Sequence, residues 1–213
     1  MPALYGPSRL ATSGRADSVL VMLHGVGSNG DDLMGLAPLL ADGLPNTAFH
    51  APDAPHEFEE GMTGYQWYSR RSLDSRVSGV IAAAPILDRY VDELAEGYGL
   101  PPSRCALLGF SQGCIVALHA APRRAETVAG VVGLSGALIT GDALPEEVVS
   151  HPPVLLVHGE EDVVLPAEGT RRAGEALGAL GIPVETHVLP NLGHAVDRRV
   201  VDLTLLFLQR VLA

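Results

Sequence analysis

Apolar positions along the chain fall into short unbroken runs, separated by segments where they recur every three or four residues. Ser18 to His24, Thr47 to Ala51, Cys105 to Phe110, Val128 to Leu134, Pro153 to His158 and Val184 to Leu189 are short enough, and apolar enough, to predict buried strands. Between them the periodicity predicts helices over Asp31 to Leu40, Val77 to Gly97, Gln112 to Ala121, Ala167 to Leu180 and Ala195 to Leu212. The last carries Val196, Val200, Leu203, Phe207 and Val211 at helical spacing. Strands alternating with helices imply a mainly parallel sheet with helices on both faces, and in such sheets ligands sit beyond the carboxyl ends of the strands. Only Pro52 to about Arg76 fits neither pattern. An irregular stretch of that length in a compact domain is functional or mobile, so it is the candidate for a substrate-covering segment. Glu57, Glu59 and Glu60 interrupt any apolar face there, so it does not read as an amphipathic lid helix.

With 213 residues the chain can bury one substantial core but is short for two, and residues 1–213 are read as one domain. The formal charge is −11, and the arginine pairs at 70–71, 123–124, 171–172 and 198–199 are dispersed. This field repels phosphate backbones and anionic lipid, so neither nucleic-acid binding nor stable membrane association is expected. All the basic residues are arginine. Without lysine there is no Walker A loop, no pyridoxal-phosphate Schiff base and no lysine nucleophile. Cys105 and Cys114 are the two cysteines, too few and wrongly spaced for a zinc site. Met1 to Ala16 lacks a basic region followed by an apolar one, and no run of 18 apolar residues occurs. A cytoplasmic protein with free thiols is expected. A homodimer is left open.

Gly109-Phe110-Ser111-Gln112-Gly113 follows a predicted strand and opens a predicted helix, where a G-x-S-x-G nucleophile turn must lie. By itself the pentapeptide is also compatible with a structural glycine turn. Two further segments change that balance. His158-Gly159-Glu160-Glu161-Asp162 and Asn191-Leu192-Gly193-His194 each follow another apolar strand. The order Ser, Asp, His, with each residue on a loop leaving the same side of the sheet, suits a catalytic triad. Ser111 would be the nucleophile, His194 the general base and acid, and Asp162 the group that orients the imidazole. His24-Gly25-Val26-Gly27 follows the first strong strand and suits an oxyanion loop. Val26 and Gln112 are the candidate backbone N–H donors, the second at a helix start where the dipole favours an anion.

Eight histidines compete for the base. His24, His50, His158 and His187 fall in or at the ends of strands, where satisfying backbone groups is the plainer role. His119 lies well inside the helix after Ser111, His151 precedes Pro152-Pro153 on a loop, and His56 belongs to the irregular segment, where it could line a pocket. Among the acids, Asp197 suits the first turn of the final helix, and Asp142 is the reserve triad acid.

Taken as a set, Leu20 to Gly25, Pro52-Asp53-Ala54-Pro55, Gln66-Trp67-Tyr68, the Ser111 elbow, His158 to Asp162 and Gly193-His194 resemble the small carboxylesterases and acyl-protein thioesterases of the α/β-hydrolase superfamily. The resemblance covers nearly the whole chain. It implies an α/β-hydrolase fold without a large cap domain, a small-molecule ester substrate, no cofactor, and a tryptophan, here Trp67, lining the substrate pocket. Gly25 to Asp31 departs from the Gly-Leu-Gly-Asp pattern of eukaryotic thioesterases, which directs the reading to small or medium acyl esters. Acyl-protein thioesterase and lysophospholipase activity remain alternatives on the same triad. Ligand binding on a hydrolase fold without catalysis is the alternative outside enzymes.

Overall fold

The computed structural model of the protein describes residues 2–61, 63–139 and 144–213. The strands are β1 (Ser8–Arg9), β2 (Ser18–Leu23), β3 (Thr47–His50), β4 (His56–Glu57), β5 (Tyr65–Gln66), β6 (Cys105–Phe110), β7 (Gly130–Leu134), β8 (Val154–Gly159) and β9 (Val184–Leu189). The helices are α1 (Gly30–Met34), α2 (Ala37–Ala41), α3 (Leu73–Tyr98), α4 (Gln112–Ala120), α5 (Leu144–Glu147), α6 (Glu168–Ala179) and α7 (Arg198–Val211). Among the described residues the main sheet runs β1-β3-β2-β6-β7-β8-β9. Every neighbour pair is parallel except β1 with β3.

β2 is buried along its whole length because both sheet faces are covered, which is why it reads as a continuous apolar run rather than an alternating one. Val19, Val21 and Leu23 enter the core beneath Leu87 and Val91 of α3, Val116 of α4 and Leu177 of α6. Leu20 and Met22 point the other way, into a core with Leu33 of α1, Leu40 of α2 and Phe207 of α7. The chain steps from β2 outward to β3 and then returns to place β6 on β2's other side. That reversal opens a crevice at the carboxyl ends of β2 and β6, between the His24 turn and Ser111.

Several elements differ from the periodicity: β1, β4, β5 and α5 were not expected, and α7 begins at Arg198 rather than Ala195, after the Asp197 cap. The helix expected over Asp31 to Leu40 is split into α1 and α2, since Pro38 at the start of α2 has no N–H and its ring would collide with the carbonyl of residue 34. α3 begins at Leu73, four residues before its expected start, because Ser72 and Ser75 form a reciprocal capping box. The irregular segment contains the β4–β5 hairpin. It packs against the neighbouring turn, where Tyr65 N donates to Ser28 O at 2.8 Å and Gly27 N to Tyr65 O at 2.8 Å.

Candidate active site

β6 ends in the elbow. Ser111 has φ 53° and ψ −112°, a left-handed conformation costing about 1–3 kcal/mol for a residue with a side chain. The flanking glycines make the turn feasible. A Cβ on Gly109 would lie 2.4 Å from Gly113 O, and one on Gly113 would lie 2.1 Å from Leu23 O of β2. Ser111 N donates to Leu134 O at 2.8 Å, which ties the elbow to β7.

β8 delivers Asp162. The loop after it folds around the carboxylate, and Oδ1 accepts from Val164 N at 2.8 Å and Leu165 N at 2.9 Å. Oδ2 lies 2.6 Å from His194 Nδ1, with the Asp162 side chain fully buried. Burial opposes ionisation of this carboxyl, but the Leu165 amide, His194 and the Val164 amide outweigh it and hold the group below the usual carboxylate range. The loops after β8 and β9 nest closely: a Cβ on Gly159 would sit 2.3 Å from both Leu192 O and Gly193 O, and Glu161 N donates to Leu192 O at 2.9 Å. The His194 ring packs 4.9 Å from that of Phe110. Because Nδ1 faces a carboxylate that only accepts, it carries the proton and leaves Nε2 as the basic nitrogen.

One cavity of about 630 Å³ is lined by Ser111, His194, Val26 and Gln112 together. Leu33, Leu36, Ile115, Ile139, Leu165 and Val196 supply apolar wall, and Tyr68, Arg70 and Arg76 one side of it. Gln112 opens α4, so its amide is among the four without an intrahelical acceptor. Val26 sits in a turn whose neighbouring amides are engaged, Gly27 N with Tyr65 O and Ser28 N with Gly25 O.

Trp67 is not in the lining of this cavity. It is 1 % exposed and sits behind the turn after β2, its Nε1 donating to His24 O at 2.9 Å. A buried indole satisfies its N–H, and here the acceptor belongs to the turn that carries Val26. His24 acts beside it. Its Nε2 accepts from Ala54 N at 2.9 Å and its Nδ1 donates to Gly25 O at 2.7 Å. Burial lowers its pKa, so the neutral tautomer these bonds need is favoured. The Gln112 side chain, unassigned by sequence reasoning, clasps the segment from the other side, Oε1 accepting from Trp67 N at 2.7 Å and Nε2 donating to Tyr68 O at 2.8 Å. A glutamine opening a helix whose other residues, His119 apart, are apolar or glycine was the available signal.

The other candidates stand apart from this group. His119 is buried in α4, with its pKa pushed down to about 4 by burial and then by the Arg123 charge. His50 bonds Tyr98 Oη at 2.9 Å, and His56 is exposed on β4. Asp197 caps α7 through Arg199 N and Val200 N. Asp142 lies outside the described residues. Among the described residues no cluster of His, Cys, Asp or Glu is placed to hold a metal ion, and no helix is long and apolar enough to cross a membrane.

Comparison with known proteins identifies the family. The family model described as phospholipase/carboxylesterase matches residues 10–212. The chain is 30% identical over 196 residues to the esterase YpfH of Escherichia coli, covering 89% of this chain and 81% of that protein. It is 28% identical to an acyl-protein thioesterase 1 of Gibberella zeae, covering 76% and 75%. Among solved structures, the crystal structure of esterase PE8 superposes with a TM-score of 0.94 at 36% identity, covering 99% of this chain and all of that one. With its sheet order, its Ser, Asp, His sequence of loops and these likenesses, the chain belongs to the phospholipase/carboxylesterase family of α/β hydrolases.

Proposed function

We propose that the protein is a serine carboxylesterase acting on small or medium acyl esters through an acyl-enzyme on Ser111. The observation that carries this reading is the convergence, on one largely apolar cavity, of a strained serine and a histidine whose Nδ1 is held 2.6 Å from a buried carboxylate. Ser111 Oγ attacks the ester carbonyl while His194 Nε2 takes its proton, and the Val26 and Gln112 amides receive the developing oxyanion. The tetrahedral intermediate collapses as His194 returns the proton to the leaving alkoxide. Water then repeats the sequence on the acyl-enzyme, releasing the acid and restoring Ser111. Apolar walls contribute about 0.8 kcal/mol for each substrate methylene they cover, so selectivity follows acyl length until the cavity is filled.

The same chemistry would open a thioester, and the acyl-protein thioesterase relatives at 26–30% identity favour that second reading. A fluorophosphonate probe tests the shared part: stoichiometric labelling at Ser111 is expected, and folded protein that takes no label refutes it. Nitrophenyl esters of increasing acyl length, set against a matched thioester and an anilide, test the substrate class. Esters of short to medium acyl length are expected to give the highest kcat/KM; a preference for the thioester overturns the ester reading in favour of the second.

A further inference from the structure

The loop that carries Asp162 is held by a second histidine to which neither the triad chemistry nor the family likeness assigns a task. His158, four residues earlier at the end of β8, has no exposed side-chain surface, and its Nε2 lies 3.0 Å from Asp162 Oδ2. The same nitrogen is 2.9 Å from Leu165 O, on the far side of the loop. Both neighbours only accept hydrogen bonds, so Nε2 carries a hydrogen. That hydrogen goes to Leu165 O, and the amide of the same residue is one of the two that bind Asp162 Oδ1. The same ring nitrogen lies 3.0 Å from Asp162 Oδ2, which His194 Nδ1 approaches at 2.6 Å. On the other edge, His158 Nδ1 then accepts from Thr170 Oγ1 at 2.6 Å, and that hydroxyl oxygen lies 2.8 Å from Gly136 O. Gly136 in turn abuts the nucleophile's backbone: a Cβ placed on it would be 3.3 Å from Ser111 O.

We infer that His158 is a positioning residue for hydrolysis, its Nε2–H fixing, at Leu165 O, the loop whose Val164 and Leu165 amides hold the Asp162 carboxylate in register with His194, while Thr170 anchors the ring from its other edge. Geometry alone leads here. The Val164 and Leu165 amides aim the carboxylate through Oδ1, so a loop free to shift at Leu165 would re-aim Oδ2 away from His194 Nδ1, and the His158 bond to Leu165 O opposes that shift. Partners that orient a reacting group's neighbour, without touching substrate, are commonly worth about 10–100-fold in activity at metal sites, where the effect is best documented; the same logic of holding a ligand's orientation applies to a triad acid.

The inference rests on the esterase reading, and the experiment separates the two. His158→Gln places an amide nitrogen near the position of Nε2, whereas the shorter His158→Asn reaches only the Nδ1 position, and both retain a polar side chain. On a nitrophenyl ester, H158N is expected to lower kcat about 10–100-fold with KM within about twofold, and to slow fluorophosphonate labelling in step, while H158Q stays within about fivefold of wild type. In an Asp162→Asn background, adding H158N is expected to cost less than about twofold more, since the group it acts through is already disabled. Equal losses in H158N and H158Q, a loss confined to KM, or full additivity with D162N each overturn the inference while leaving the esterase reading intact. Wild-type protein that neither labels nor hydrolyses any ester overturns both. If H158N fails to fold, Thr170→Val carries the test through the anchor: about threefold to tenfold lower kcat is expected at unchanged KM, and wild-type kcat overturns the inference.

Discussion

Trp67 separates a bracing role from a pocket role. It is buried, absent from the cavity wall, and bonded through Nε1 to His24 O and through its amide to Gln112 Oε1. Trp67→Ala removes a fully buried indole and should cost about 3–5 kcal/mol. For a domain of this size 1 kcal/mol moves Tm by about 2–4 °C, which makes the expected fall about 6–20 °C. Trp67→Phe keeps most of the volume but leaves His24 O without its donor, a loss of about 1–3 kcal/mol and about 2–12 °C by the same conversion. The carbonyl released belongs to the turn that aims the Val26 amide, so kcat in W67F should fall by up to the roughly 100-fold that removing one oxyanion donor costs. KM and the dependence on acyl length should stay unchanged. The assay is a thermal melt of both variants beside kcat and KM on nitrophenyl esters of increasing length. A W67F enzyme with wild-type Tm, whose loss of kcat/KM instead grows by about fourfold with each substrate methylene, the equivalent of about 0.8 kcal/mol, would put the indole against substrate and refute the reasoning.

Three other outcomes are expected. Ser111→Ala should lower turnover about a millionfold with Tm unchanged or raised, because the strained turn persists without its nucleophile; retention of a tenth of the activity would mean the nucleophile is another residue. Gly113→Ala drives a methyl group into the β2 backbone at Leu23 O, where no side chain can yield, so a loss of about 1–3 kcal/mol, or about 2–12 °C in Tm, should appear in melts; wild-type stability would contradict the close approach. Stability should fall on mild acidification. His119 is held neutral in the fold down to about pH 4, against an ordinary value of 6.5, so only the unfolded chain gains a proton between them and stability drops as pH falls across that window. Asp162, whose folded value is depressed, loses its own contribution at lower pH still. His119→Gln should flatten the Tm profile between pH 6.5 and 4 relative to wild type, and an unaltered slope would remove His119 as the cause.

Most of the sheet could be read from the sequence because its inner strands are buried on both faces, and β9, at the edge and partly exposed, still carries an apolar run at its end. β6 and β9 match the expected runs residue for residue, and β2, β3, β7 and β8 differ by one or two at their ends, where burial gives way to loop. Ser111, Asp162 and His194 were legible because strand-end position and chain order are local features, and a parallel sheet converts them into proximity without any knowledge of packing. The surroundings of Trp67 were not legible, for the complementary reason. Its surroundings come from His24, 43 residues away in the chain, and Gln112, 45 residues away, and no pattern around position 67 distinguishes an indole facing substrate from one facing the back of a turn. The Pro52 to Arg76 stretch shows the same limit. Its polarity and irregularity suggested a cover, whereas β5 docks beside Gly27 and Ser28 and the segment braces the oxyanion turn from behind while lending Tyr68, Arg70 and Arg76 to the cavity wall.

These bracing contacts share one physical origin. Past the carboxyl ends of the strands the ladder of hydrogen bonds stops, and the loops that bear Val26, Ser111, Asp162 and His194 must be held by other means. Buried polar side chains reach other segments' backbone around three of them: His24 accepts from Ala54 N, Trp67 donates to His24 O, Gln112 bridges Trp67 and Tyr68, and His158 bonds Leu165 O, while the His194 loop is tied by Glu161 N donating to Leu192 O. A buried polar group left unpaired costs about 1–3 kcal/mol, so shifting any one loop strands a donor on one side and an acceptor on the other. The loops are therefore coupled in pairs, and the couplings run from the β2 turn through the elbow to β8 and α6. That explains how a surface built from irregular backbone can hold a carboxylate and an imidazole 2.6 Å apart, and why polar residues such as Gln112 and His158 are buried in a chain otherwise rich in apolar core. Among the described residues the side chain of Ser111, the proposed nucleophile, makes no such contact. Its hydroxyl is the group that must stay free to react, and the network around it carries the cost of keeping it in a strained turn.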